Sequence, residues 1–104
     1  MSIQINVTGE VVTAYLFGEI DHHTAKSMRE SIDTAIEMNM PSLLVLDFKD
    51  VSFMDSSGIG LVMGRYRLLQ KTGSTLNLVN LPENIYKIMK LAGIERLASL
   101  EKRS

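Results

Sequence analysis

The chain has 104 residues and a net charge of −1, which suits one domain with a modest core and gives no overall pull toward nucleic acid or anionic lipid. It contains no cysteine, which excludes a disulfide framework, a thiol nucleophile and a thiolate metal site. Composition is that of a globular domain, no apolar run approaches a membrane span, and no basic segment precedes an apolar one at the N-terminus, so a cytosolic protein is expected.

Ile3, Ile5 and Val7 alternate with polar residues, the mark of a half-buried strand. A turn at Thr8-Gly9-Glu10 and a second strand over residues 11–17 make a hairpin that Gly18 ends. A helix follows, capped by Asp21 or Thr24, with Ala25, Met28, Ile32, Ala35 and Ile36 on its apolar stripe and Pro41 as its stop. Residues 42–48 read as a third strand. After the polar stretch at residues 52–58, Ile59, Val62, Tyr66 and Leu69 mark a second helix, closed by Lys71 and Gly73. A fourth strand is expected over residues 75–79. A third helix opens with Pro82 at its first position, carries Ile85, Ile88, Met89 and Ala92, and exits at Gly93. Ile94, Leu97 and Leu100 suggest a last short strand or turn before a polar tail. Few aromatics and seven methionines imply an aliphatic core in which Met28, Met38, Met40, Met54, Met63 and Met89 act as filler.

The strand-to-helix junction carries the chemistry. Asp55, Ser56 and Ser57 stand where a helix begins, with Ser56 or Ser57 at or beside the cap, and free backbone donors there favour an anion. A nucleophile elbow needs glycine two residues either side of the serine; Gly58 fits Ser56 but Met54 does not. A dinucleotide fingerprint fails because residue 63 is Met, and no Gly-Lys-Ser/Thr follows for a P-loop. Adjacent His22 and His23 point apart, with no third ligand at zinc-like spacing. Asp55 either caps the helix or orients Ser56 for a partner. Gly58 and Gly60 either allow close packing or let a partner approach the backbone. Arg65, Arg67 and Lys71 are expected on the solvent face of the second helix.

Phe53-Met54-Asp55-Ser56-Ser57-Gly58-Ile59-Gly60, continued by Leu61-Val62-Met63-Gly64-Arg65-Tyr66, resembles the phosphorylation loop of STAS domains that act as anti-sigma factor antagonists. Gly18-Glu19-Ile20-Asp21-His22-His23-Thr24-Ala25 supplies a second match, and the two together are similar to the sporulation branch, which opposes an anti-sigma-F factor. The resemblance runs over nearly the whole chain. It implies an α/β fold: one STAS-like domain over residues 1–104, with a mixed sheet of four to five strands, helices packed against it, and the family's C-terminal helix absent or truncated. Alternating helices and strands after a hairpin agree with that architecture.

The resemblance also implies a binding module rather than an enzyme, with no cofactor. Ser56, the first serine of the pair, would take the phosphate. Glu19, Asp21 and His22 would lie on a loop near it and form the partner surface with Asp55, Ser57 and Gly58. The implied partners are an anti-sigma factor that is also a serine kinase, and a metal-dependent serine phosphatase; no nucleic acid or membrane is contacted directly. The unphosphorylated form would bind the kinase and free a sigma factor, and phosphorylation would end that binding. One alternative is a STAS module in another circuit, such as a stress response or small-ligand or nucleotide sensing. The other is an enzyme with Ser56 as nucleophile and a histidine base, which the failed elbow spacing and the short chain disfavour.

Overall fold

The computed structural model describes residues 2–104. After an opening hairpin the elements alternate: β1 (Ile3–Thr8), β2 (Val11–Ile20), α1 (His22–Asn39), β3 (Leu43–Met54), α2 (Ser56–Gln70), β4 (Thr75–Leu81), α3 (Glu83–Leu91), a 3-10 turn (Ile94–Arg96) and β5 (Ser99–Lys102). The five strands lie in the order β1-β2-β3-β4-β5. β1 runs antiparallel to β2, and every other neighbouring pair is parallel. The mixed α/β sheet is therefore the expected one. Each crossover steps one strand in the same direction, so right-handed connections lay the helices on one face. No helix among the described residues is long and apolar enough to cross a membrane.

Register stacks the core in rows beneath the helices. Ile5, Ala14, Leu46, Leu78 and Leu100 lie side by side across the whole sheet, and Val12, Leu44 and Leu76 make the next row, which ends at exposed Val7 on the edge strand. Met28, Ile32, Ala35 and Ile36 of α1 and Ile85 and Met89 of α3 are buried over this face. Alternate positions such as Thr13, Val45 and Asn77 line the open face and are only half-buried, as the two-residue period of a strand requires.

Several expectations shift. β2 does not stop at Gly18: that glycine takes a left-handed φ of 72°, and register shifts between Tyr15 and Phe17 and between Gly18 and Glu19 carry the strand on to Ile20. β3 likewise continues past residue 48 to Met54. The bulged stretch is pinned by buried Asp47, which accepts from the Lys49 backbone N–H at 2.9 Å and from Asn80 Nδ2 at 3.0 Å. Pro82 is the N-cap of α3 rather than its first residue, and it offers no side-chain acceptor. Met28, Met54 and Met89 are core filler, but Met38 and Met40 are exposed; Met40 caps the end of α1 in a left-handed conformation and points outward.

The buried face of α2 is Gly58, Leu61, Val62, Arg65 and Leu69, with Ile59 and Tyr66 half-buried. Arg65 is therefore a core-facing residue, not a solvent-facing one. Its Nε lies 2.8 Å from Asp33 Oδ1 of α1, with side-chain exposures of 7% and 29%. That N–H does not point along the contact, so the pair is close but poorly hydrogen-bonded. Burial pushes the Asp33 carboxyl up, with Arg65 opposing, and burial pushes Arg65 down, with Asp33 opposing.

Candidate functional site

The two bulges bring the ends of β2 and β3 level. Glu19 pairs with Phe53 and Ile20 with Met54, and the Asp55 N–H donates to the Ile20 carbonyl at 3.1 Å. The starts of α1 and α2 therefore emerge side by side, although their sequences are far apart.

Each helix begins on an aspartate. Asp21 Oδ1 accepts from the N–H groups of His23 and Thr24 at 2.9 and 3.0 Å, and Thr24 Oγ1 accepts from the Asp21 N–H at 2.9 Å. This is a reciprocal capping box, with threonine in the usual place of glutamate. Asp55 Oδ1 accepts from the Ser57 N–H at 2.8 Å. The cap of α2 is thus Asp55, not either serine, and Ser56 is the first helical residue. Relieved of capping, Ser56 sits exposed at the positive end of a helix.

The remaining residues divide by depth. Glu19, His22 and Asp55 are exposed, Asp21 and Ser57 half-buried, and Gly58 buried. Glu19 belongs to the end of β2 and His22 to the start of α1, rather than to a loop. A Cβ on Gly58 would overlap Met54 Cγ and Sδ, so Gly58 serves close packing and shapes the surface from beneath. The rings of His22 and His23 meet edge to face with centroids 6.2 Å apart. Phe53, 51% exposed beside Glu19, is a feature of this surface that sequence reasoning left without a role. Its signal was the strand period: Met54 points inward, so Phe53 must point away.

The Asp21 cap has a measurable signature. Hydrogen bonds from the Thr24 backbone, and after it the His23 backbone, hold its carboxyl below the usual range. A folded value lower than the unfolded one contributes stability above the unfolded value, and that contribution is lost as pH falls through the folded one. Asp21→Ala is expected to lower the urea midpoint at pH 7, with the difference shrinking in acid once the pH falls below the ordinary aspartate range. An equal deficit at both pH values would show that the charge plays no part.

With this geometry in view, the likenesses to known proteins are informative. The family model described as STAS domain matches residues 2–103. The anti-sigma F factor antagonist of Lysinibacillus sphaericus is 38% identical over 88 residues, covering 85% of this chain and 75% of its own length. That of Paenibacillus polymyxa is 31% identical, covering 93% and 85%. The anti-sigma-B factor antagonist of Bacillus subtilis is 30% identical, covering 98% and 84%. Among solved structures, the unphosphorylated anti-sigma factor antagonist SpoIIAA superposes with a TM-score of 0.83 at 36% identity, covering 94% of this chain and 86% of that one. The phosphorylated form of Bacillus SpoIIAA gives 0.76 at 36% identity, covering 94% and 89%. Sequence and fold agree, and the chain belongs to the STAS family, among the relatives of the anti-sigma F factor antagonists.

Proposed function

We propose that this protein is an anti-sigma factor antagonist switched by phosphorylation of Ser56. The observation that carries the reading is the placement of the Ser56 hydroxyl: exposed, first in α2, with the capping task already met by Asp55. Relatives named as anti-sigma F factor antagonists support it. So does a relative solved in both unphosphorylated and phosphorylated forms, each superposing on this chain.

In this reading the unphosphorylated protein docks on an anti-sigma factor that is also a serine kinase, releasing the sigma factor. Glu19, Asp21, His22, Asp55 and Ser57 form the contact surface around Ser56, and Gly58 sets its shape. The kinase transfers the γ-phosphoryl group of ATP to Ser56 Oγ: the Oγ–P bond forms, the bond to the β-phosphate oxygen breaks, ADP leaves and a base on the kinase takes the hydroxyl proton. A metal-dependent serine phosphatase hydrolyses the ester and restores the binding form. A sigma-B circuit is the second reading, favoured by the likeness to the Bacillus subtilis anti-sigma-B factor antagonist over 98% of the chain.

Incubation with ATP and purified anti-sigma kinases of either class, followed by mapping of the modified residue, tests both readings. Labelling is expected at Ser56 alone, lost in Ser56→Ala and largely retained in Ser57→Ala, since the Ser57 side chain is half-buried and its N–H is engaged by Asp55. Phosphate found mainly on Ser57 overturns the assignment. The kinase that labels the protein identifies the circuit.

A further inference from the structure

A groove of about 450 Å³ runs between α1 and α2, starting beside Ser57. Ala25, Gly60 and Gly64 give it a floor of small residues, and His22, Lys26, Arg29 and Arg65 line it with cationic or ionisable groups. The glycines have no reason within the domain. Both lie inside α2 without a left-handed φ, and a Cβ added to either would meet nothing within 4 Å. Glycine is among the least favourable residues in a helix interior, so α2 forgoes helix stability at two positions that its own packing leaves free.

Two of the three basic side chains of the groove are equally unspent, and the third, Arg65, has Asp33 as its one ionic partner among the described residues. Lys26 and Arg29 are exposed and form no ion pair among the described residues. Arg65 is more than nine-tenths buried, yet its Nε makes no directed hydrogen bond; its one such bond is from Nη1 to the Leu61 carbonyl, at 3.4 Å. A guanidinium has five N–H donors. Lys26, Arg29 and Arg65 outweigh Asp33, so the groove is net cationic, while Glu19, Asp21 and Asp55 make the neighbouring Ser56 surface acidic.

We propose that this groove seats an acidic segment of the anti-sigma factor, whose backbone approaches α2 at Gly60 and Gly64 while its carboxylates meet Lys26, Arg29 and the free donors of Arg65. The assignment rests on the anti-sigma reading above and extends its docking surface from Ser57 along α2. Close backbone approach is the use to which glycine on a helix face is suited, and bidentate carboxylate recognition is that of arginine. The adjoining acidic and basic areas would fix the orientation of the partner.

The test compares binding to a purified anti-sigma F serine kinase with thermal unfolding. Gly60→Ala/Gly64→Ala is expected to raise the thermal midpoint by several degrees, since each change improves helix propensity, and to weaken binding about tenfold or more. Lys26→Glu/Arg29→Glu is expected to weaken binding at least as much and to flatten its salt dependence. Stabilised glycine variants that bind as well as the parent overturn the groove, as does a charge reversal without effect. A lowered midpoint in the glycine variants would place their role inside the fold and overturn it too. Ser56→Asp is the control for the underlying reading: loss of binding there with intact groove variants sinks the groove alone, and a parent protein that fails to bind sinks both. Self-association of the parent that Gly64→Leu abolishes would assign the groove to a second copy instead.

Discussion

Phosphorylation of Ser56 is expected to weaken binding to the anti-sigma factor by about a hundredfold or more, while the thermal midpoint moves by only a few degrees. The two effects separate because the phosphate meets different surroundings in the free and bound states. In the free protein it adds about −1.5 to −2 charge at an exposed first helical residue. The positive helix end favours it and the Asp55 carboxylate opposes it, both through water, so the fold changes stability by about 1 kcal/mol or less. A kinase, however, must hold the Ser56 hydroxyl against the terminal phosphate of its nucleotide. In the proposed complex, a partner docked over Ser56 would have to bury the added charge or meet it with its own acidic surface. A buried charge without a matched partner costs several kcal/mol, and each factor of ten in affinity corresponds to about 1.4 kcal/mol. Ser56→Asp should reproduce part of the loss, because it carries less charge and fewer acceptor oxygens. The check is calorimetric binding and thermal unfolding on both forms. Equal affinity would refute the switch. Lost affinity with a collapsed midpoint would mean that phosphate acts by disrupting the fold.

Asp33→Leu is expected to destabilise the domain by about 3 kcal/mol, whereas Asp33→Leu/Arg65→Met should match the parent or exceed it. The single change leaves the Arg65 guanidinium, 7% exposed, without the carboxylate 2.8 Å away and without an acceptor in its place. The loss is large against the roughly 5–15 kcal/mol that holds such a domain together. The double change removes both charges and their desolvation, which often outweighs the attraction between them. The direction of both titrations agrees: burial raises Asp33 and lowers Arg65, each against the influence of its partner. A carboxyl whose folded value is raised imposes its ionisation cost above that value and is relieved of it in acid. The advantage of the double variant should therefore narrow as pH falls toward the ordinary carboxylate range. Urea unfolding of the parent, Asp33→Leu, Arg65→Met and the double variant at pH 7 and in acid reads all of this. Additive losses in the double variant would mean that the pair is a net source of stability.

Much of this molecule is written in short-range signals. The capped start of α1 and the apolar stripe through Met28, Ile32, Ala35 and Ile36 need only neighbours within a turn or two, and both appear where the sequence places them. The same holds for the left-handed exit at Gly93, which follows α3. Gly18 shows the limit of such reading. A glycine with positive φ marks a strand end and a bulge equally well, and only pairing with β3 selects the bulge.

Arg65 shows it again. A search for apolar periodicity passes over an arginine on the buried stripe and settles on Tyr66 beside it. The carboxylate that makes burial tolerable, Asp33, lies on another helix and has no signature in local pattern.

The sequence by itself determined the alternation of strands and helices, the capped start of α1 and the two blocks that resemble an antagonist's phosphorylation site, because periodicity, motif spacing and a capping box are local. Only the tertiary structure decided that Asp55 rather than a serine caps α2, that Ser56 is thereby left exposed, and that Glu19, Asp21 and His22 stand next to it. Those outcomes depend on Ile20 meeting Met54 across two bulges, a register set by long-range strand pairing rather than by either segment alone.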